Sequence, residues 1–305
     1  MSQIKNALTQ THTDKLMLAV FYSISAHFLF FIMSLSAKYL SLSHHPVEIV
    51  FYRNVIIFIA MSAFILFTGK RHLLHTKKPG LIAWRALIGT VSLITLYTAL
   101  SLLPMAYATT IFFTSTLLTP ILAFFFLKEH VGIYRWSAVI IGMLGVIIIA
   151  QPTGQASLIG LGFALATALL HGILFTVLRA LKSEHPLTVT FYFVIAGSLL
   201  PGILFMPWIA NPLMANELWI FLIVGSTGGF GQLALAGAYK YAPASFVTPI
   251  GYTALLWNIL ADIYYWKYEI DLSAICTGAG LILSAQLYMI YREYMRNNKR
   301  QSAAK

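Results

Sequence analysis

Apolar runs of about twenty residues, each bounded by charge, proline or glycine, follow one another along almost the whole chain. A hydrocarbon core of about 30 Å is crossed by a helix of roughly 20 apolar residues, so runs of this length predict membrane-spanning helices. Ten such runs occur, at residues 16–38, 46–68, 80–102, 104–127, 133–151, 157–179, 186–208, 217–239, 243–265 and 272–292. The connections leave no room for a soluble domain. We therefore predict an all-α integral membrane protein with ten transmembrane helices.

The composition supports this prediction and removes several classes of function. Of the 305 residues, 59% are hydrophobic and 10% are charged, whereas about 25% are charged in an average soluble domain. The net charge of +11 could suit a nucleic-acid partner, but the cations lie between the apolar runs, so we expect no nucleic-acid binding. The single cysteine, Cys276, cannot form an intrachain disulfide or a multi-cysteine metal site, and we expect neither a metal nor a cofactor.

The basic residues predict the orientation of the chain. Sixteen of the 20 lysines and arginines lie in the two termini and in the alternate connections on the same side. Cytoplasmic loops collect Lys and Arg, so we predict a multi-pass protein of the cytoplasmic (inner) membrane with both termini in the cytoplasm and membrane lipids around it. Lys38 and Lys267 lie on the opposite side, and the last two cations, Arg53 and Arg85, fall inside predicted spans.

The two halves of the chain contain a repeat. Residues 45–52 (HPVEIVFY) and 185–192 (HPLTVTFY) share His, Pro, Phe and Tyr at the same positions, and Pro104 and Pro243 are each followed by a threonine five residues later. Matches in the same order and at similar spacing indicate an internal repeat.

Each half contains five predicted spans, an odd number, so the second copy enters the membrane from the opposite side. We predict two inverted five-helix repeats, residues 1–151 and residues 152–305, the second with a basic cytoplasmic tail. Inverted repeats are typical of secondary transporters, which hold their substrate near the membrane midplane and alternate access to the two sides.

Several motifs carry a family resemblance, and they are FYR at residues 51–53, WR at 84–85, the run from Tyr97 to Pro120, LKE at 127–129 and a looser copy, WKYE, at 266–269. In these stretches the chain resembles the EamA type of the drug/metabolite transporter superfamily. The resemblance implies a carrier of small metabolites with a central cavity lined mainly by spans 1, 3, 4, 6, 8 and 9. It leaves the substrate open, because one fold hosts many functions.

We therefore expect a secondary active transporter that moves a small polar metabolite across the cytoplasmic membrane by alternating access. The candidates are an amino acid, an S-adenosylmethionine-like compound or another carboxylate-bearing solute, and proton coupling and a monomeric or homodimeric state stay open. The alternative is a membrane-embedded enzyme acting on a lipid-borne substrate. No HExxH, P-loop or GxSxG motif is present in the chain, so we expect no enzyme.

Arginine inside a membrane span is costly and is a candidate functional group. Arg53 lies seven residues past Pro46, about 10 Å along its helix, and its fork suits a carboxylate or phosphate. The alternatives are an ion pair with Glu48 or a side chain that reaches the outer face. Arg85 lies near the cytoplasmic end of its span, where snorkelling to the interface is the competing interpretation.

Other polar residues in the predicted spans complete the candidate site. His27 and His171 occupy the middle of equivalent helices and could bind substrate or couple protons. Asp262 is expected to reach water at the end of its span, and Pro120 and Pro249 are predicted hinges because proline removes a helical hydrogen bond. The remaining candidate substrate-binding residues are Gln232, in the glycine-rich segment 226–232, and Thr109, Tyr252, Asn258, Trp257 and Tyr97.

Overall fold

The structure, a computed structural model, describes residues 2–127, 133–149, 157–181, 183–209, 215–241, 247 and 250–303. The regular elements in these ranges are all helical. They are α1 (Ser2–Leu40), α2 (Pro46–Thr68), a 3-10 turn (Arg71–Leu74), α3 (Pro79–Leu102), α4 (Met105–Phe112), α5 (Thr114–Leu127), α6 (Ile133–Ile149), α7 (Leu158–Ala180), α8 (Pro186–Leu204), α9 (Met206–Ile209), α10 (Ala215–Tyr241), α11 (Thr253–Tyr264) and α12 (Leu272–Ala303).

Seven helices in the described ranges are long and apolar enough to cross a membrane, and they include segments of α1, α2, α3, α7, α8, α10 and α12. Helix α6 contributes a shorter apolar segment, Trp136–Ile149. The prediction of an all-helical membrane protein is thereby confirmed. The run at 104–127 is divided into α4 and α5, and part of the run at 243–265 lies outside the described residues.

The helices pack in pairs around one apolar core. Helix α1 packs along α10, α3 along α7, α2 along α8, and α6 along α12, while α4 contacts α11. Buried side chains from most of these helices join one cluster that includes Ile49, Tyr97 and Phe193. This arrangement brings the inner faces of α2, α3, α8 and α10 together.

The repeated His-Pro motif is a helix N-cap in both halves. His45 and His185 have extended backbone conformations, and the Nδ1 atom of each accepts a hydrogen bond from the backbone N–H two residues later, at 3.3 Å and 3.2 Å. Proline follows as the first helical residue, where its missing N–H costs nothing. The motif therefore starts α2 and α8 in the same way.

The two ends of the bundle are named here by a residue at each. The His44 end holds the start of α2 and the start of α10, which are joined by a hydrogen bond of 2.9 Å between His44 Nε2 and Glu217 Oε2. The Lys78 end holds the start of α3 and the start of α8, where the Lys77 N–H donates to Glu184 Oε1. Helices α2 and α8 thus begin at opposite ends.

The helical run after Pro104 is interrupted at Phe113. Helix α4 ends at Phe112 and α5 begins at Thr114, while the carbonyl of Phe113 accepts a 2.7 Å hydrogen bond from Gln286 Nε2 of α12. Proline clashes with the carbonyl four residues before it, and for Pro120 that residue is Thr116, close to the break. Pro120 lies inside α5 and Pro249 lies outside the described residues, so the hinge role of both stays a prediction.

Candidate functional site

Arg53 of α2 is buried in the centre of the bundle, with 2% of its surface exposed. Its Nη1 donates to Asn54 Oδ1 at 3.2 Å, and its Nε has no hydrogen-bond partner in the described part of the chain. The position of Gly228 in α10 allows this, because a Cβ there would lie 2.9 Å from Arg53 Nε. The glycine-rich segment of α10 is a continuous helix, and Gly228 serves the close approach of the guanidinium.

The two structural alternatives for Arg53 are wrong. Glu48 points to the His44 end of α2, where its Oε2 lies 3.0 Å from His44 Nδ1, and Arg53 forms no ion pair within the described residues. The burial of Arg53 also excludes a side chain that reaches the outer face.

Arg85 of α3 is buried as well, with 5% of its surface exposed, so the snorkelling interpretation is wrong. Its guanidinium lies over the ring of Phe193 from α8, 4.2 Å from the ring centre, and a Cβ at Gly89 would lie 3.1 Å from Nη1. Cation–π contact with a desolvated ring is favourable, and it holds the side chain toward the interior. Nε and Nη1 have no hydrogen-bond partner among the residues described.

The two arginines share one polar region, which we call the arginine site and define as Arg53, Arg85, Tyr97 and His171. The charge of Arg53 acts on Arg85 and on Tyr97, and the charge of Arg85 acts on His171. His171 Nδ1 lies 2.6 Å from Ser92 Oγ, and the ring packs edge-on against Phe112 at 4.6 Å. The arginine site therefore holds two like charges in an apolar interior.

Asn54, which sequence reasoning missed, positions Arg53. Its Nδ2 donates to the carbonyl of Val50 at 2.8 Å and to that of Gly197 in α8 at 3.4 Å. Pro201 has no N–H to offer the Gly197 carbonyl four residues earlier, so this carbonyl is free to accept from Asn54. An asparagine directly after an arginine inside an apolar run was the signal available in the sequence.

A second group of predicted residues lies where α4 and α11 meet α1. Asn258 Nδ2 donates to Thr109 Oγ1 at 2.7 Å, and Asn258 Oδ1 has no hydrogen-bond partner in the described residues. Tyr252 packs edge-on against Phe113 at 4.7 Å, and Trp257 against Phe28 at 5.5 Å. Phe113 follows Phe112, which packs against His171, so this group borders the arginine site.

His27 and Gln232 do not join the arginine site through any contact in the described residues. His27 Nδ1 lies 2.7 Å from the carbonyl of Ser23, one turn earlier in α1, and its ring packs against Phe30. Gln232 is half-buried on α10. His27 and His171 were expected to have equivalent roles, but they lie in different surroundings. Of the two, only His171 is affected by the charge of an arginine.

Lys38 and Asp262, expected near water, are both buried at the Leu103–Pro104 junction between α3 and α4. Lys38 is 3% exposed and Asp262 0%. Lys38 Nζ donates to the carbonyls of Leu100, at 2.7 Å, and of Leu103, under the rings of Trp266 and Tyr268. Asp262 accepts the N–H groups of Met105 and Ala106 at 3.0 Å and 2.7 Å.

This junction clasp, consisting of Lys38 and Asp262, satisfies the two helix ends that the junction creates. The last carbonyls of α3 carry partial negative charge and the first N–H groups of α4 partial positive charge, so a cation and an anion are placed at the matching ends. The expectation that Asp262 simply reaches water is wrong, because its carboxylate is taken up by α4.

A cluster of three side chains closes the His44 end. His44 lies between Glu48 of α2 and Glu217 of α10, with Nδ1–Oε2 and Nε2–Oε2 distances of 3.0 Å and 2.9 Å. Burial lowers the pKa of His44, but the hydrogen bonds and charges of Glu217 and Glu48 outweigh it and raise the pKa above its ordinary value of 6.5. An imidazolium can donate from both nitrogens, whereas a neutral ring donates from one.

The unfolding midpoint should therefore depend on pH through His44. Because the pKa of His44 is raised, the stability that its charged form contributes is fully present below about pH 6.5. This stability is lost as the pH rises through the pKa of His44 in the folded protein. We expect the midpoint difference between the parent protein and His44→Gln to shrink as the pH rises above about 6.5. Thermal unfolding in detergent at a series of pH values measures it, and a difference that is constant with pH contradicts this assignment.

The long apolar helices define a polytopic membrane protein, and two buried arginines without an ion-pair partner in the described residues lie in its interior. The chain belongs to the EamA-like transporter family, whose model matches residues 17–151 and again residues 158–291. It is thus a membrane transporter and not an enzyme, and the alternative of an enzyme acting on lipid finds no support.

Relatives with similar sequences carry transporter names. An S-adenosylmethionine uptake transporter of Rickettsia bellii is 27% identical over 268 residues, which are 87% of this chain and 90% of that protein. A riboflavin transporter of Rhizobium johnstonii is 32% identical over 206 residues, 66% of each chain. A solved crystal structure with 16% identity covers 89% of this chain and 96% of its own with a TM-score of 0.63, and shows the same fold.

Proposed function

We propose that this protein is a secondary carrier that binds one small polar metabolite at the arginine site and passes it across the membrane by alternating access. The observation that carries the proposal is the pair of buried arginines without an acidic partner in the described residues. Charged side chains inside a membrane are rare, and they face substrate pathways or internal partners. Arg53 and Arg85 bind the substrate in this proposal, with Tyr97 and His171 beside them.

An inverted repeat of five spans in each half, ten in all, is part of the proposal. The opposite starting ends of α2 and α8 support it, since both begin with the same His-Pro cap. The packing also supports it. A repeat makes α7 the counterpart of α1 and α10 the counterpart of α3, so the contact between α1 and α10 should have a counterpart between α7 and α3. Both contacts are present. The family model matches once on each side of the proposed boundary between residues 151 and 152.

Alternating access needs an element that can bend, and we assign this role to the interrupted run from Met105 to Leu127. The break at Phe113 lies within it, and in the present state the Phe113 carbonyl accepts hydrogen bonds from Gln286 Nε2 and from the N–H and hydroxyl of Thr116. Thr109 and Asn258 line the path beside the break, with Tyr252 and Trp257. Pro120 lies seven residues after Phe113 and Pro249 is its counterpart in the second half.

The positive-inside rule supports the Lys78 end as the cytoplasmic face of the inner membrane, with both termini on that side. The names of the relatives support a substrate of metabolite size, and the arginine fork supports one with a carboxylate, for which the candidates are an amino acid, an S-adenosylmethionine-like compound or another carboxylate-bearing solute. Proton coupling through His27 or His171 belongs to the same proposal.

Counterflow in proteoliposomes tests the carrier proposal. Vesicles loaded with an unlabelled metabolite and diluted into the labelled compound should accumulate label transiently, because a carrier exchanges substrate across alternating states and a channel does not. The metabolites are amino acids, S-adenosylmethionine, riboflavin, dicarboxylates and phosphate monoesters, and protein-free vesicles are the control. Absence of counterflow with every compound, in vesicles that hold folded protein, would falsify the proposal.

A further inference from the structure

We infer that the arginine site selects substrates with net negative charge, of which dicarboxylates and phosphate monoesters are the chemical class. The inference deepens the proposed function and rests on it. It follows from the charge of the site, the directions of the two side chains and the donors that they leave free.

The charge of the site is positive and has no internal compensation in the part of the chain that the structure describes. Arg53 and Arg85 repel each other, and neither has a carboxylate partner there. The buried acids that are described are occupied elsewhere, since Glu48 pairs with His44 and Asp262 caps α4. A buried cation is stable only when a counter-charge compensates its desolvation, so the ligand has to bring the negative charge.

The two guanidiniums approach the middle of the membrane from opposite ends. Arg53 starts about 10 Å from the beginning of α2, and Arg85 about 9 Å from the beginning of α3, at the other end of a span of about 35 Å. Both side chains extend inward, because Arg53 meets Gly228, 11 residues past Glu217 of α10, and Arg85 meets Gly89, one turn further into α3. Both guanidiniums therefore lie near the middle of the span, within about one helical turn of each other in depth, so one compact dianion can reach both.

The free donors also favour oxygen anions. The unpartnered groups are Nε of Arg53, Nε and Nη1 of Arg85 and the hydroxyl of Tyr97. Guanidinium N–H groups match carboxylate and phosphate oxygens, and Phe193 fixes the plane of Arg85. Zwitterionic, neutral and cationic solutes leave one or both cations uncompensated, so alanine, riboflavin and S-adenosylmethionine should bind poorly to this chain.

Thermal-shift titrations of the purified full-length protein in chloride buffer of fixed ionic strength test the inference. The probes are succinate, glucose 6-phosphate, inorganic phosphate, alanine, riboflavin and S-adenosylmethionine, and a ligand of the folded state raises the midpoint by mass action. We expect saturable shifts with succinate or glucose 6-phosphate, at least tenfold weaker binding in Arg53→Met and in Arg85→Met, and unchanged binding in Arg71→Met. Arg71 is an exposed arginine at the Lys78 end and controls for general charge.

Three outcomes overturn the inference. One is a saturable shift with alanine, riboflavin or S-adenosylmethionine and none with the anions, another is anion binding that survives in both arginine variants, and the third is no shift with any probe. A shift with inorganic phosphate alone, without succinate or glucose 6-phosphate, also counts against an organic anion as the substrate. Counterflow of a neutral or cationic metabolite would leave the carrier proposal standing while this inference fails, so the two failures are distinguishable.

Discussion

Replacement of Arg53 by methionine should abolish transport and, in the absence of substrate, raise the unfolding temperature. Loss of one partner from a buried charge pair costs about 2–5 kcal/mol, which corresponds to roughly a 30- to 3,000-fold loss at 1.4 kcal/mol per factor of ten. The unfolding temperature of the substrate-free protein should rise, because a buried and uncompensated guanidinium is replaced by an apolar side chain of similar length. Functional sites often carry a stability cost of this kind.

The opposite signs separate a substrate site from a structural one. Initial uptake rates in proteoliposomes and thermal unfolding of the same preparation give the two readouts, and Arg85→Met should behave in the same way. Arg71→Met, on the surface, should change neither. If Arg53→Met lowers the unfolding temperature and the loss of transport follows from misfolding, Arg53 is a structural residue and the assignment of the site is wrong.

The fold follows from the sequence to the extent that it depends on local pattern. The apolar runs correctly predicted α2, α3 and α7 to within two residues at each end, because length and hydropathy decide which segments cross a bilayer. The repeated His-Pro motif also has a local role, because His45 and His185 each cap the start of a helix. Contacts between helices that are far apart in the chain could not be predicted from this pattern.

The arginine site shows where sequence reasoning stops. Arg53 was predicted from its depth alone, and the structure confirms that it is buried. Arg85 was expected at the interface because only its distance from the helix end was visible. Its inward direction depends on the ring of Phe193, more than 100 residues away in the chain. The position of Lys38 was missed for the same reason, since its carbonyl partners are 62 and 65 residues away.

The junction clasp should be the most destabilising place to remove a single charge. Asp262→Leu removes the acceptor of two N–H groups at the start of α4 and leaves Lys38 without its nearest anion, and we expect a loss of about 3–5 kcal/mol in the free energy of unfolding. Lys38→Met should cost a similar amount, because the carbonyls of Leu100 and Leu103 lose their donor in an apolar interior.

The double variant distinguishes one clasp from two independent caps. If Lys38 and Asp262 act together across the Leu103–Pro104 junction, removal of both charges should cost less than the sum of the single losses by about 1 kcal/mol or more. Reversible unfolding in mixed detergent measures all four proteins of the cycle. Lys267→Met and Glu269→Gln, exposed residues of the neighbouring connection, are the matched controls and should lie within about 0.5 kcal/mol of the parent. Strictly additive losses would mean that each side chain caps its own helix and that the buried charges at the junction do not depend on each other.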